Sequence, residues 1–111
     1  MNFAQEIKGE ILILRISGDL IGEDSGTQLL SAVNDAVSHK LMTCIIDISD
    51  LRYINSSGIG VLITILTKFR NKGGEVYLQN PSESVKKLLV ITKLNAIFNV
   101  IKSEDEITLK K

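Results

Sequence analysis

Cysteine and histidine each occur once in this 111-residue chain, as Cys44 and His39. One cysteine excludes an internal disulfide framework, and the two residues together fall short of the ligands of a closed zinc site. Charge of one sign is also missing, because 13 Lys and Arg balance 13 Asp and Glu. A nucleic-acid-binding domain shows a basic excess clustered on one face. The doublets Lys86–Lys87 and Lys110–Lys111 read instead as solvated surface. Long hydrophobic runs are absent too. The most apolar segment, Ile59 to Leu66, is about half the length of a membrane span. Met1 to Lys8 lacks the basic start and apolar core of a signal peptide. These absences predict a cytoplasmic protein without a nucleic-acid partner and without membrane insertion.

What is present is an ordinary globular composition, 44% hydrophobic and 23% charged, at a length that fits one domain over residues 1–111. Phe3, Gln5 and Ile7 alternate loosely, and Ile11 to Ile16 is a short β-branched run bounded by Gly9 and Gly18. The spacing predicts two strands joined by a tight turn at Lys8-Gly9-Glu10. Gly18 to Gly22 reads as a loop. A helix is predicted from Asp24 or Ser25, with Ser25 and Gln28 as a capping box and Leu29, Leu30, Val33, Ala36 and Val37 as its apolar stripe. His39 falls near the end of that helix, where positive charge suits the dipole.

Thr43 to Ile48 reads as a strand that buries Cys44, and Ser49 to Ile54 as a connector. Ser57 to about Phe69 is a predicted helix with Leu62, Ile65, Leu66 and Phe69 on one side. Ile59, Val61 and Ile63 spread its apolar arc further round, leaving surface for a partner. Gly73 and Gly74 can supply the left-handed end of this helix. Glu75 to Gln79 is a short strand. Asn80, Pro81 and Glu83 then mark a third helix, read as cap, first and third positions, with Val85, Leu88 and Leu89 buried. Phe98 and Val100 predict a last short strand, and Ile107 and Leu109 could anchor the tail. Alternating strands and helices after an opening hairpin predict an α/β fold. Its sheet is mixed, mostly parallel, of about four to five strands, with helices mainly on one face.

Catalytic constellations are missing from this order. There is no Gly-x-x-x-x-Gly-Lys-Ser/Thr phosphate loop and no Gly-x-Gly-x-x-Gly fingerprint, and His39 has no nucleophile placed for it. Asp19, Asp47 and Asp50 fall at strand or loop ends, where turn and capping duties explain them as well as chemistry does. The expectation is a non-enzyme that needs no cofactor. The segment Ile54-Asn55-Ser56-Ser57-Gly58-Ile59-Gly60 is the informative one. It has two readings. The first is an N-cap serine followed by small residues that let a helix approach the sheet. The second is a switch: free N–H groups at a helix start tolerate an anion, and a phosphate on Ser56 adds about −1.5 to −2 charges to an apolar surface while the core stays intact.

The run from Cys44 to Gly60 resembles the signature of STAS domains, particularly bacterial anti-sigma-factor antagonists. Gly18-Asp19-Leu20, Lys72-Gly73-Gly74 and Leu94-Asn95-x-Ile97-Phe98 extend the resemblance over nearly the whole chain. The resemblance implies that Ser56 is phosphorylated by an anti-sigma factor that is also a serine kinase, and dephosphorylated by a PP2C-type phosphatase. The unmodified form would bind the anti-sigma factor and free the sigma factor. ATP and magnesium would belong to the kinase. The implied partner-binding residues are Asp19, Asn55, Ser56, Ser57, Gly58, Ile59, Gly60 and Ile63. Ser57 would support the helix start, while Gly58 and Gly60 would let a partner's backbone approach. The family pattern is Asp-Ser-Ser/Ala-Gly-Leu-Gly, so Asn55 replaces an acidic residue and removes a charge beside the phosphoacceptor. Lys93 stands where the family often has glycine, which strains a left-handed turn there. The alternative role within the family is a non-phosphorylated adaptor in a larger assembly, such as a lipid-transport ABC system.

Overall fold

Gly9 closes the opening hairpin at φ 60, a left-handed conformation that a two-residue turn needs and glycine adopts freely. On either side of it, β1 (Asn2–Lys8) and β2 (Ile11–Leu20) pair antiparallel, with Lys8 opposite Ile11 and Asn2 opposite Ser17. A computed structural model describes residues 2–21 and 23–102, apart from the side chains of residues 23–25. The elements that follow are α1 (Glu23–Ser38), β3 (Thr43–Ile54), α2 (Ser56–Asn71), β4 (Glu75–Gln79), α3 (Glu83–Ile91), a short 3-10 turn (Leu94–Ala96) and β5 (Asn99–Ile101). The sheet runs β1-β2-β3-β4-β5, and every neighbour pair after the hairpin is parallel. The order and the mixed five-stranded sheet agree with the sequence reading. The proposed capping box rests on the Ser25 side chain, and the tail anchors Ile107 and Leu109 also lie outside the described residues.

Period-two alternation divides the sheet into two faces. Leu12, Leu14 and Ile16 of β2, Cys44, Ile46 and Ile48 of β3, and Val76 and Leu78 of β4 form one core with the three helices. Leu29 and Val33 of α1, Leu62, Ile65 and Phe69 of α2, and Val85 and Leu89 of α3 supply the helical half. On the other face Ile13, Ile45 and Ile101 are buried beside Ile11 and Tyr77. Cys44 is a core residue, and burial raises its thiol far above the usual range. His39 is exposed just past α1, where its Nδ1 hydrogen-bonds the Asp35 carbonyl at 2.7 Å. Among the described residues, no helix is long and apolar enough to cross a membrane.

Two local readings change. The stretch Ser49 to Ile54 is not a connector; β3 continues through it, pairing with β2 as far as Leu20–Ile54. Turn chemistry is there, since Asp47 accepts from the Ser49 N–H at 3.0 Å and its hydroxyl at 2.8 Å. It sits inside the strand, where the register shifts between Arg15 and Ser17 and again between Gly18 and Asp19. For the same reason Gly18 and Asp19 extend β2 rather than open a loop. The second change is at α3, whose cap is Ser82 and not Asn80. Asn80 takes φ 51, outside the extended region a cap residue occupies, and lies two residues before Ser82; its N–H donates to the Ile101 carbonyl at 2.7 Å, closing β4 against β5.

Lys93 occupies the left-handed region at φ 62, ψ 19, as the expectation of strain required. An L-residue there carries a penalty of about 1 kcal/mol that glycine does not. Lys93→Gly is therefore expected to stabilise the fold by up to ~1 kcal/mol, less the chain entropy that glycine adds to the unfolded state. Urea unfolding measures the difference; a Lys93→Gly protein less stable than the parent would mean that the lysine side chain contributes more than its backbone costs.

Candidate functional site

The chain passes from β3 into α2 in a single residue. Asn55 is still extended, at φ −100 and ψ −177, and its N–H donates to the Leu20 carbonyl at 3.2 Å, ending the β2–β3 ladder. Its side chain then does two jobs. The Oδ1 accepts from the Gly58 N–H at 2.8 Å, capping the helix, while the Nδ2 donates to the Ile21 carbonyl at 3.3 Å. The cap thus falls to Asn55, a preferred residue for it, and not to the serine that the sequence reading placed there. The second bond ties the loop after β2 to the start of α2, and an ionised aspartate in the same place could not donate it.

Ser56 and Ser57 are the first two residues of α2, and both are exposed. Their N–H groups have no carbonyl four residues back within the helix, and the macrodipole is positive here. No acidic residue lies in the first turn. The loop therefore presents two hydroxyls on an N-terminus whose field favours negative charge.

Gly58 is buried, which corrects its expected part in partner contact. A Cβ there would lie 2.8 Å from Ile54 Cγ1 and closer still to the Leu20 carbonyl oxygen. The missing side chain admits this chain's own backbone, not another's. Gly60 is different: it is exposed, and a Cβ on it would meet nothing within 4 Å. Among the described residues, nothing requires glycine at that position.

Ile59 is half-buried and Ile63 is exposed, one turn apart on α2. Asp19 is half-buried in β2, with its carboxylate 3.5 Å from the Arg52 guanidinium and Tyr53 as its partner in the ladder. Two further residues belong beside this group that the sequence reading did not single out. Ile21, 51% exposed, adjoins the Asn55 bond, and Tyr53, 48% exposed, precedes Asn55 by two positions. Large apolar side chains left in solvent around a polar motif have the composition of a protein-contact surface. The available sequence signal was that Ile21 and Tyr53 are large apolar residues inside the predicted loop and connector, where no core position claimed them.

A profile of the STAS domain matches residues 2–107. Among solved structures, a Thermotoga maritima protein described as an anti-sigma factor antagonist superposes with a TM-score of 0.85 at 24% identity, over 97% of this chain and 92% of its own. The Bacillus cell fate determinant SpoIIAA in its phosphorylated form gives a TM-score of 0.77 at 21% identity, over 99% and 100% of the two chains. A sulfate transporter family protein of Wolinella succinogenes gives 0.76 at 14% identity, over 90% and 83%. At these identities the three superpositions speak for the fold. The family follows from the profile, which spans nearly the whole sequence, and so the chain belongs to the STAS domain family.

Proposed function

We propose that this chain is a phospho-switchable anti-sigma-factor antagonist whose switch residue is Ser56. The observation that carries this reading is the placement of an exposed hydroxyl at the first position of α2, among the exposed apolar side chains Ile21, Tyr53 and Ile63. In the unmodified state this surface binds an anti-sigma factor that is itself a serine kinase, and the sigma factor is released. A phosphate on Ser56 puts about two negative charges into the apolar contact, and desolvating them opposes binding. The helix N-terminus accommodates the same charges without unfolding the domain. A PP2C-type phosphatase returns the chain to its binding state. ATP and magnesium are the kinase's, and the chain itself acts as a binding module, not an enzyme.

The test is incubation with the cognate kinase and ATP, followed by mass spectrometry of the added phosphate. Phosphate is expected on Ser56 and lost in Ser56→Ala; a Ser56→Ala protein labelled as fully as the parent disproves the site. Ser56→Asp is expected to weaken anti-sigma-factor binding about tenfold or more, roughly 1.4 kcal/mol. A second reading, a STAS adaptor in a larger assembly without phosphorylation, draws on Asn55. That residue leaves the phosphoacceptor without the acidic neighbour of the family pattern. Binding to the anti-sigma factor with no labelling of any serine, or no binding at all, favours the adaptor.

A further inference from the structure

Among the described residues, one edge of the sheet is protected only by the charges of Glu6 and Lys8. Among the described residues, β1 pairs with β2 only, so its outer row of N–H and C=O groups has no strand beside it. Natural edge strands are kept short, bulged, broken by proline or charged along their length. β1 is seven residues long and pairs with β2 without a register shift, and its sequence Asn-Phe-Ala-Gln-Glu-Ile-Lys has neither proline nor glycine. Ile7 is 58% exposed on the helix-side face, which it shares with Phe3 and Gln5. Glu6 points to the opposite face and is drawn back over β2 by Arg15, at 2.8 Å. That contact holds its carboxyl below the ordinary range. Lys8 stands at the end of the strand, not in its middle.

We propose that two copies of this chain associate through antiparallel pairing of their β1 strands, making one continuous ten-stranded sheet. Symmetry and side-chain chemistry select the register. A two-fold axis that keeps both helix layers on one side must pass opposite a residue of β1. Placed at Glu6, it sets two carboxylates face to face, which is unfavourable. Placed at Ala4, it pairs only Asn2 to Glu6, five of the seven described residues of the strand. Placed at Gln5, it pairs all seven residues. Phe3 then faces Ile7 of the second copy on the helix side, Ala4 faces Glu6 and Asn2 faces Lys8 on the other. Gln5 faces Gln5, two amides that can hydrogen-bond across the axis. No like charges stand directly opposite. Beneath this strand, Ile7 and Gln5 border a cavity of about 160 Å³ with Leu12, Ala36 and Leu41 on its apolar side and Asp35 and His39 on its polar side; a second copy's Phe3 could lean onto the apolar side. The pairing uses the edge beyond β2 from β3, so it leaves the strand that delivers Ser56 inside the sheet.

A single ladder is a small interface, so the association is sought by sedimentation equilibrium of the full chain from micromolar to near-millimolar concentration. The parent is expected to show a monomer–dimer equilibrium. Gln5→Lys and Gln5→Glu each place like charges on the axis and are expected to raise the dissociation constant about fivefold or more. An equimolar mixture of the two is expected to pair more tightly than either alone, because lysine then faces glutamate. Gln5 is exposed, and circular dichroism of each variant establishes that the fold is kept. A parent that stays monomeric throughout overturns the proposal. So does a dimer whose strength is indifferent to both substitutions and to their mixing.

Discussion

Gly58→Ala is expected to lower the stability of the folded chain by about 3 kcal/mol. For a domain of this size that corresponds to a fall of ~10–20 °C in melting temperature. The cause is contact with backbone rather than with a side chain that could rotate away. The added methyl would lie 3.0 Å from the Leu20 carbonyl carbon, nearer to its oxygen, and 2.8 Å from Ile54 Cγ1. Relief requires the first turn of α2 to lift from the end of β2. That lift also pulls on the Asn55 bonds to Leu20 and Gly58, at 3.2 and 2.8 Å. Gly60→Ala provides the contrast, since it has open space and sits inside the same helix. Removing a helical glycine there is expected to stabilise by roughly 0.5–1 kcal/mol. If Gly60 is kept for close approach by a partner, the same Gly60→Ala protein is more stable yet binds the anti-sigma factor more weakly. Thermal unfolding and binding titration of the two variants read both effects. Equal melting temperatures for Gly58→Ala and the parent would mean that α2 is free to move off the sheet.

The order of elements was legible in the sequence because each core contributor carries its own period. Ile11 to Ile16 and Thr43 to Ile48 are β-branched runs, and the α2 stripe Leu62, Ile65, Leu66, Phe69 repeats at helical spacing; all four of those helix residues are buried. What resisted reading was the continuation of β2 and β3 past their apolar halves. Ser49 and Asp50 carry turn chemistry, and the Asp47–Ser49 bonds are turn bonds, but parallel pairing with β2 resumes beyond the register shifts. Pairing between distant strands decided the outcome, and no local pattern reports it. Asn80 failed as a cap for a similar reason. Its N–H pairs with the Ile101 carbonyl, twenty-one positions away, in a left-handed backbone turn at φ 51, and the extended Ser82 caps the helix instead, also donating its hydroxyl to Leu51 at 3.2 Å.

The site was half legible. Asn-Ser-Ser-Gly before an apolar run marks a helix start by local rules alone, but the helix begins at Ser56, one residue before the expected Ser57, because Asn55 and not a serine is the cap. The contributions of Ile21 and Asp19 depend on β2 ending beside β3, which is tertiary information. Gly58 shows the limit most clearly. Both glycines of the motif look equivalent in sequence, yet one is filled by a carbonyl from β2 and the other faces solvent.

Asn55 is where fold and switch meet, and substitution separates its two bonds. Asn55→Ala removes the cap on Gly58 and the link to Ile21 together. A lost N-cap costs about 1–2 kcal/mol, and the longer bond to the Ile21 carbonyl adds less, so the total expected is ~2 kcal/mol. Asn55→Asp keeps an acceptor for Gly58 and gains ~0.3–1 kcal/mol from negative charge at the helix start. It loses the donor to Ile21 and sets a carboxylate against that carbonyl, so its net stability is expected within about 1 kcal/mol of the parent. The asymmetry matters for function. With the amide, the loop after β2 is held to the switch by a neutral bond, and a phosphate on Ser56 meets no neighbouring carboxylate. With aspartate the phosphate and the carboxylate would repel on adjacent residues, and Ile21 would be released from the site. Phosphorylated Asn55→Asp is therefore expected to lose stability on modification where the phosphorylated parent does not. Melting curves of all four species, each variant with and without phosphate, measure this as a coupling. A coupling of zero would show that the amide at position 55 acts only as a helix cap and that the phosphate does not sense it.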